Sequence, residues 1–153
     1  MDIGDIPVSE LLPHDPPMVL LDRALRFDES SLTAEVDIRS DSVLCGSDGV
    51  PGWVGIEYMA QAVAAHAGFK ARLIGAQPAV GYLLGTRSYQ CSVGNFPIGA
   101  TLSVHIESLF TEMGLGAFAC KIAMNGAVAT ATINVYQPPD NSVDIVHSGK
   151  IPR

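Results

Sequence analysis

Glu57 is the residue whose type and setting most invite chemistry. It is the one acidic side chain between Asp48 and Glu107, and it stands in a mostly apolar stretch, WVGIEYMAQAVAAHAGFKARLI (53–74). A carboxyl group buried there would favour its neutral form, as a general acid near neutral pH requires. The same spacing also allows a glutamate on the solvent edge of a helix, and it does not choose between the two. Gln61 follows at i+4, on the same helical face, within reach to orient the carboxyl group. Pro51-Gly52 opens the stretch. Amide groups at a helix start point outward with the positive end of the dipole and suit a carbonyl oxygen that gains charge. Gly52 would let that carbonyl come close, although an ordinary turn into a helix has the same sequence. Of the four histidines, His14 lies in a proline-bounded loop, LPHDPP, where it is either a structural hydrogen-bonding residue or a base. His66 is nine residues past Glu57, about half a turn out of phase. His105 falls in a strand and His147 near the end of the chain.

The elements that must position these groups are legible from period and punctuation. Residues 53–74 carry the chain's clearest helix chemistry, with Lys70 and Arg72 in the last turn and Gly75 placed to cap it. At 1.5 Å per residue the run would span about 33 Å. Trp53, Ile56, Met59 and Val63 lie on one side and Ala60, Ala64 and Gly68 on another, so the helix is apolar most of the way round and predicted to be buried. In a chain of this length the economical cover is a sheet. Strands are predicted over 18–27 and 32–38, joined by the turn Asp28-Glu29-Ser30-Ser31, and over 80–89, 101–111, 117–124 and 128–137. Asn125-Gly126 is a two-residue hairpin signal, and the GLG at 114–116 reads as a strand connection, not a phosphate loop. A short helical turn over 9–12 and a glycine-bearing loop over 40–52 complete the pattern. The predicted class is α+β with one antiparallel sheet, a single domain over 1–137 and a flexible tail over 138–153.

Composition bounds the function. The 153 residues suffice for one core without staples, and 48% hydrophobic against 16% charged residues exclude intrinsic disorder. Nine Lys/Arg against 16 Asp/Glu give −7, which argues against nucleic acid as partner. No uninterrupted apolar run is long enough for a membrane span, and Asp2 and Asp5 stand where a signal peptide would be basic. Cys45, Cys91 and Cys120 form no close pair, so neither a zinc site nor a disulfide framework is expected, and a cytoplasmic setting is. No metal or cofactor is called for.

The motifs together resemble a known family. LLPHDPPMVLLDRALRFD (11–28) resembles the opening of the β-hydroxyacyl-acyl-carrier-protein dehydratases. Pro51-Gly52, Glu57 and Met59-Ala60-Gln61-Ala62 resemble their helix signature. VPGWVGIEYMAQAVAAHAG and GYLLGTR are most similar to the ApeP-like branch, associated with aryl-polyene lipid clusters. The resemblance covers roughly residues 9–137. It implies a hotdog fold, a curved sheet around the long helix, and a homodimer or heterodimer whose two sheets join side by side with the active sites at the subunit interface. It implies an acyl thioester on an acyl carrier protein as substrate. It makes Glu57 the acidic residue that handles the departing β-hydroxyl, Gly52 the glycine whose amide binds the thioester carbonyl, and Gln61 the glutamine beside the acid.

One departure stands out. The family's usual catalytic histidine lies in a G-H-F-P stretch, where this chain has Cys45-Gly46-Ser47-Asp48, with Ser47 at the histidine's place. A serine takes no C2 proton at neutral pH without an activating base. The base is therefore another histidine, with His14 the candidate, or comes from a partner subunit, or the chemistry differs. The reading is a 3-hydroxyacyl-thioester dehydratase or a subunit of one. The alternatives are a non-catalytic hotdog subunit that binds acyl thioesters, or a hotdog thioesterase. Lys70, Arg72 and Arg87 are candidates for a basic patch that would receive an acidic carrier protein, and equally for ordinary solvated charges.

Overall fold

The computed structural model describes residues 1–77 and 82–137, with the backbone alone at 82–84. The chain runs β1 (Arg23–Asp28), β2 (Ser31–Asp37), β3 (Val50–Pro51), a 3-10 turn (Gly52–Val54), α1 (Gly55–Leu73), β4 (Tyr82–Cys91), β5 (Asn95–Phe96), β6 (Thr101–Glu112), β7 (Leu115–Ala123) and β8 (Ala127–Tyr136). Six strands form one antiparallel sheet in the order β1-β2-β6-β7-β8-β4, and β3 pairs with β5 separately. The sheet curves around α1, the hotdog arrangement that the resemblance implied. Residues 138–153, read from sequence as a tail and holding His147, lie outside the described residues, as do Val80 and Gly81 at the start of the third predicted strand.

Period-two alternation decides which face meets the helix. Leu32, Ala34 and Val36 of β2 are buried, as are Leu102, Val104 and Ile106 of β6, Phe118, Cys120 and Ile122 of β7, and Ala129, Ala131 and Ile133 of β8. Against them α1 presents Met59, Ala62, Val63, Ala65 and Phe69. Each large side chain so enclosed stabilises the fold by about 1.5–3 kcal/mol. Trp53, counted by phase among the apolar helix residues, lies in the 3-10 turn before α1 and is 62% exposed.

One face of α1 faces no sheet strand. Glu57, Gln61, Ala64 and Gly68 recur along it, and the N-terminal segment lies there. Gly68 is required at this point because any Cβ would collide with the Leu11 carbonyl, so the backbone at Leu11 crosses in direct contact with the helix. Leu11 and Leu12 are buried and anchor the crossing. The strand predicted over 18–27 begins only at Arg23. Short of that point, the Met18 carbonyl and the Leu20 amide are bonded to the side chain of Gln61 and not to a sheet neighbour, so residues 18–22 stay irregular.

The turns follow residue chemistry. Met113-Gly114, between β6 and β7, and Asn125-Gly126, between β7 and β8, all have positive φ, as tight antiparallel turns demand. The other side of β4 pairs with no strand among the described residues.

Candidate active site

Glu57 lies in the first turn of α1, at the positive end of the helix dipole. Its side chain is 41% exposed in the protomer. The enclosed position considered from sequence is thus not what the protomer provides. The helix is buried by the sheet, but Glu57 belongs to the face that the sheet leaves open.

Gln61, one turn on, has no exposed surface. Its Oε1 accepts from the Leu20 amide at 2.8 Å, and its Nε2 donates to the Met18 carbonyl at 2.7 Å and to Glu57 Oε2 at 3.1 Å. A backbone N–H needs an acceptor and a carbonyl needs a donor, so these partners fix which way the amide points. Gln61 therefore ties the 18–20 segment to the helix and holds one carboxylate oxygen of Glu57.

That segment continues from His14. The imidazole Nε2 lies 3.9 Å from Glu57 Oε2, and the ring is 29% exposed. Its other nitrogen, Nδ1, is buried and meets no hydrogen-bond partner. His14 and Glu57, 43 residues apart, are brought together by the crossing at Gly68 and the bonds to Gln61.

Gly52 is placed differently from the expectation. Its amide donates to the Gly94 carbonyl at 2.9 Å, extending the β3–β5 pairing by one bond, and its own carbonyl accepts from the Tyr89 hydroxyl at 2.6 Å. A Cβ at this position would lie 2.6 Å from the Val93 carbonyl oxygen and 3.0 Å from Cys91 Sγ. The glycine thus meets a packing requirement beneath the 91–94 turn, and its N–H is already engaged. This corrects the reading of Gly52 as a free carbonyl-binding amide. Tyr89, 37 residues away in β4, had no signal in the sequence; its partner is set by the pairing of β4 with β8 and the path of the turn. Burial pushes the Tyr89 hydroxyl up and that of Tyr58 to about 12, so both are protonated donors at neutral pH.

The remaining candidates are apart from this cluster. Ser47 is exposed in a tight loop closed by the Gly46–Gly49 bridge. His66 is buried on the far side of α1, stacked on Phe27 with centroids 5.0 Å apart, its Nε2 3.0 Å from the Asp28 carbonyl. Burial pulls its pKa below the ordinary histidine value. His105 bonds Thr33 Oγ1 through Nδ1 at 2.8 Å on the outer face of the sheet. Of the three proposed docking cations, Arg72 is paired with Glu10 at 3.1 Å, while Lys70 and Arg87 are exposed. A cavity of about 470 Å³, lined by Val63, His66, Ala67, Lys70 and Phe118 among others, opens beside the C-terminal half of α1, away from Glu57. Among the described residues no group of three or more His, Cys, Asp or Glu is arranged to hold a metal, and no helix is long and apolar enough to cross a membrane.

Comparison with known proteins agrees with this geometry. A model of the ApeP-like family, described as ApeP dehydratase, matches residues 6–146. Among solved structures, a chain of the dehydratase heterocomplex ApeI:P from Xenorhabdus doucetiae is 31% identical, with a TM-score of 0.82 over 92% of this chain and 97% of that one. A hypothetical thioesterase with coenzyme A from Streptococcus pneumoniae TIGR4 shares the fold at 10% identity and a TM-score of 0.59, covering 76% and 88% of the two chains. AziG from S. sahachiroi does so at 14% and 0.60, covering 77% and 90%. A search of curated proteins returns no significant match. Residues 6–146 are most of the sequence, and with the hotdog sheet and the Glu57–Gln61 helix they establish that this chain belongs to the ApeP-like dehydratase family.

Proposed function

We propose that residues 1–137 act as one hotdog unit that dehydrates a 3-hydroxyacyl thioester presented on an acyl carrier protein in the cytoplasm, alone or as one subunit of a hotdog pair. The observation that carries this reading is the approach of the Glu57 carboxylate and the His14 imidazole to 3.9 Å, on a face of α1 that the sheet leaves open. Dehydration removes a proton from C2, releases the C3 hydroxyl and delivers a proton to it, so that water and an enoyl thioester result. A carboxyl group held by Gln61 with an imidazole beside it supplies the groups for these transfers. Because the Gly52 amide is bound to Gly94, the thioester carbonyl takes its hydrogen bonds from another donor; the next amide in the turn is that of Trp53. A second hotdog chain would join its sheet side by side with this one, as the resemblance implies; the side of β4 that pairs with no strand among the described residues offers an edge for it. The test is formation of enoyl thioester by the chain with and without a hotdog partner. Glu57→Gln should lower turnover by about 10²–10⁴, the usual worth of a positioned proton-transfer group; undiminished turnover rejects the assignment.

A second reading, a non-catalytic subunit, is favoured by Ser47 in the histidine's place and by the exposure of Glu57 in the protomer. Turnover by the purified chain alone excludes it. Release of free thiol from an acyl thioester without loss of water would point to a thioesterase instead.

A further inference from the structure

Resting on the dehydratase reading, we propose that Glu57 alone moves the proton in this site, and that His14 serves it as a fixed hydrogen-bond donor and not as a base. The starting observation is the unequal setting of the two imidazole nitrogens. Nδ1 is out of reach of solvent and has no partner among the described residues, whereas Nε2 faces Glu57 Oε2 at 3.9 Å. A neutral imidazole carries one N–H, and the hydrogen bond open to the other nitrogen decides where it sits. A proton on Nδ1 would be a buried donor with nothing to donate to, and would leave the Nε2 lone pair aimed at a carboxylate. A proton on Nε2 removes the second of these and turns an N–H toward Oε2; Nδ1 lacks a partner in either tautomer, so the facing carboxylate decides. The neutral ring is therefore the Nε2–H tautomer, and its accessible nitrogen has no lone pair with which to accept a C2 proton.

The carboxylate is suited to that task. It lies in the first turn of α1 and keeps an exposed edge while Gln61 Nε2 holds Oε2. In the balanced step, Glu57 takes the C2 proton as the C2–H bond breaks and its electrons form the enolate. The enolate then expels the C3 oxygen, which leaves as water by taking the proton back from Glu57. His14 Nε2–H donates a hydrogen bond to the departing oxygen and ends as it began. His14 is then the residue that orients and polarises the hydroxyl, and no second titrating group is needed.

The experiment compares His14→Gln, whose side-chain amide can donate but cannot act as a base, with His14→Ala and Glu57→Gln, each in the full chain together with its hotdog partner. A donor role predicts that His14→Gln stays within about tenfold of wild type, that His14→Ala falls about a hundredfold, and that Glu57→Gln falls furthest. If His14 is the base, His14→Gln is as inactive as His14→Ala and the proposal is overturned. Nitrogen-15 spectra of the labelled imidazole give a reading independent of turnover. The Nε2–H tautomer is expected above the ring's titration, and a dominant Nδ1–H tautomer refutes the proposal even if the dehydratase reading itself stands. Absence of dehydration in wild type, with the Nε2–H tautomer present, counts against the dehydratase reading and leaves the tautomer assignment standing.

Discussion

Replacing Gln61 by leucine keeps the volume of a side chain with no exposed surface and removes three hydrogen bonds. The Leu20 amide loses its acceptor, the Met18 carbonyl its donor, and Glu57 the amide that holds Oε2. Each buried backbone group left unpaired costs about 1–3 kcal/mol. The two here are only partly buried, and leucine gains from apolar burial, so the net loss should be about 1–3 kcal/mol. For a chain of this size that lowers Tm by roughly 2–4 °C per kcal/mol. Gln61→Glu separates this effect from charge. Protonated, its carboxyl can still donate to one partner and accept from Leu20; ionised, it sits beside the Glu57 carboxylate and the Met18 carbonyl. The folded state therefore raises its pKa above the unfolded value near 4.3. The folded protein then binds the extra proton, and stability falls as pH rises above about 4.3. Thermal unfolding of wild type and both variants across pH measures this. Gln61→Glu should approach wild type in acid and fall below Gln61→Leu near neutrality. The reasoning fails if Gln61→Leu melts with wild type, or if Gln61→Glu shows no pH dependence beyond that of wild type.

Gly52→Ala should destabilise the fold by about 1–3 kcal/mol, because its Cβ would press on the Val93 carbonyl and Cys91 Sγ; urea unfolding that matches wild type would show that the turn yields. His66 is buried with a lowered pKa, so the unfolded chain binds the proton more readily. Its contribution is full above about 6.5 and is lost as pH falls below that through the folded value, and His66→Gln should flatten that part of the Tm–pH curve. Met113 has φ 52 in the turn before Gly114 and is 87% exposed, so Met113→Asn should stabilise by about 0.5–1 kcal/mol, visible as a small rise in Tm.

The sequence by itself determined the elements and the resemblance. Alternating apolar residues in 105–110 and 130–136 pointed to strands buried on one face, Asn125-Gly126 set a hairpin, and the apolar girth of 53–74 required a wrapped helix. Spacing along that helix also placed Gln61 beside Glu57, because i and i+4 are neighbours whatever surrounds them. Only the tertiary structure decided the rest, since each remaining fact joins residues far apart in the chain. Gly68 admits the Leu11 backbone and so carries His14 to Glu57. Gln61 takes Met18 and Leu20 out of the predicted strand. The turn at Gly94 claims the Gly52 amide that a helix start would otherwise leave free. Burial is the sharpest case. A carboxylate inside an apolar sequence is surrounded by apolar neighbours along the chain, yet its solvent exposure depends on which helix face the sheet covers, and periodicity within one element carries no information about that.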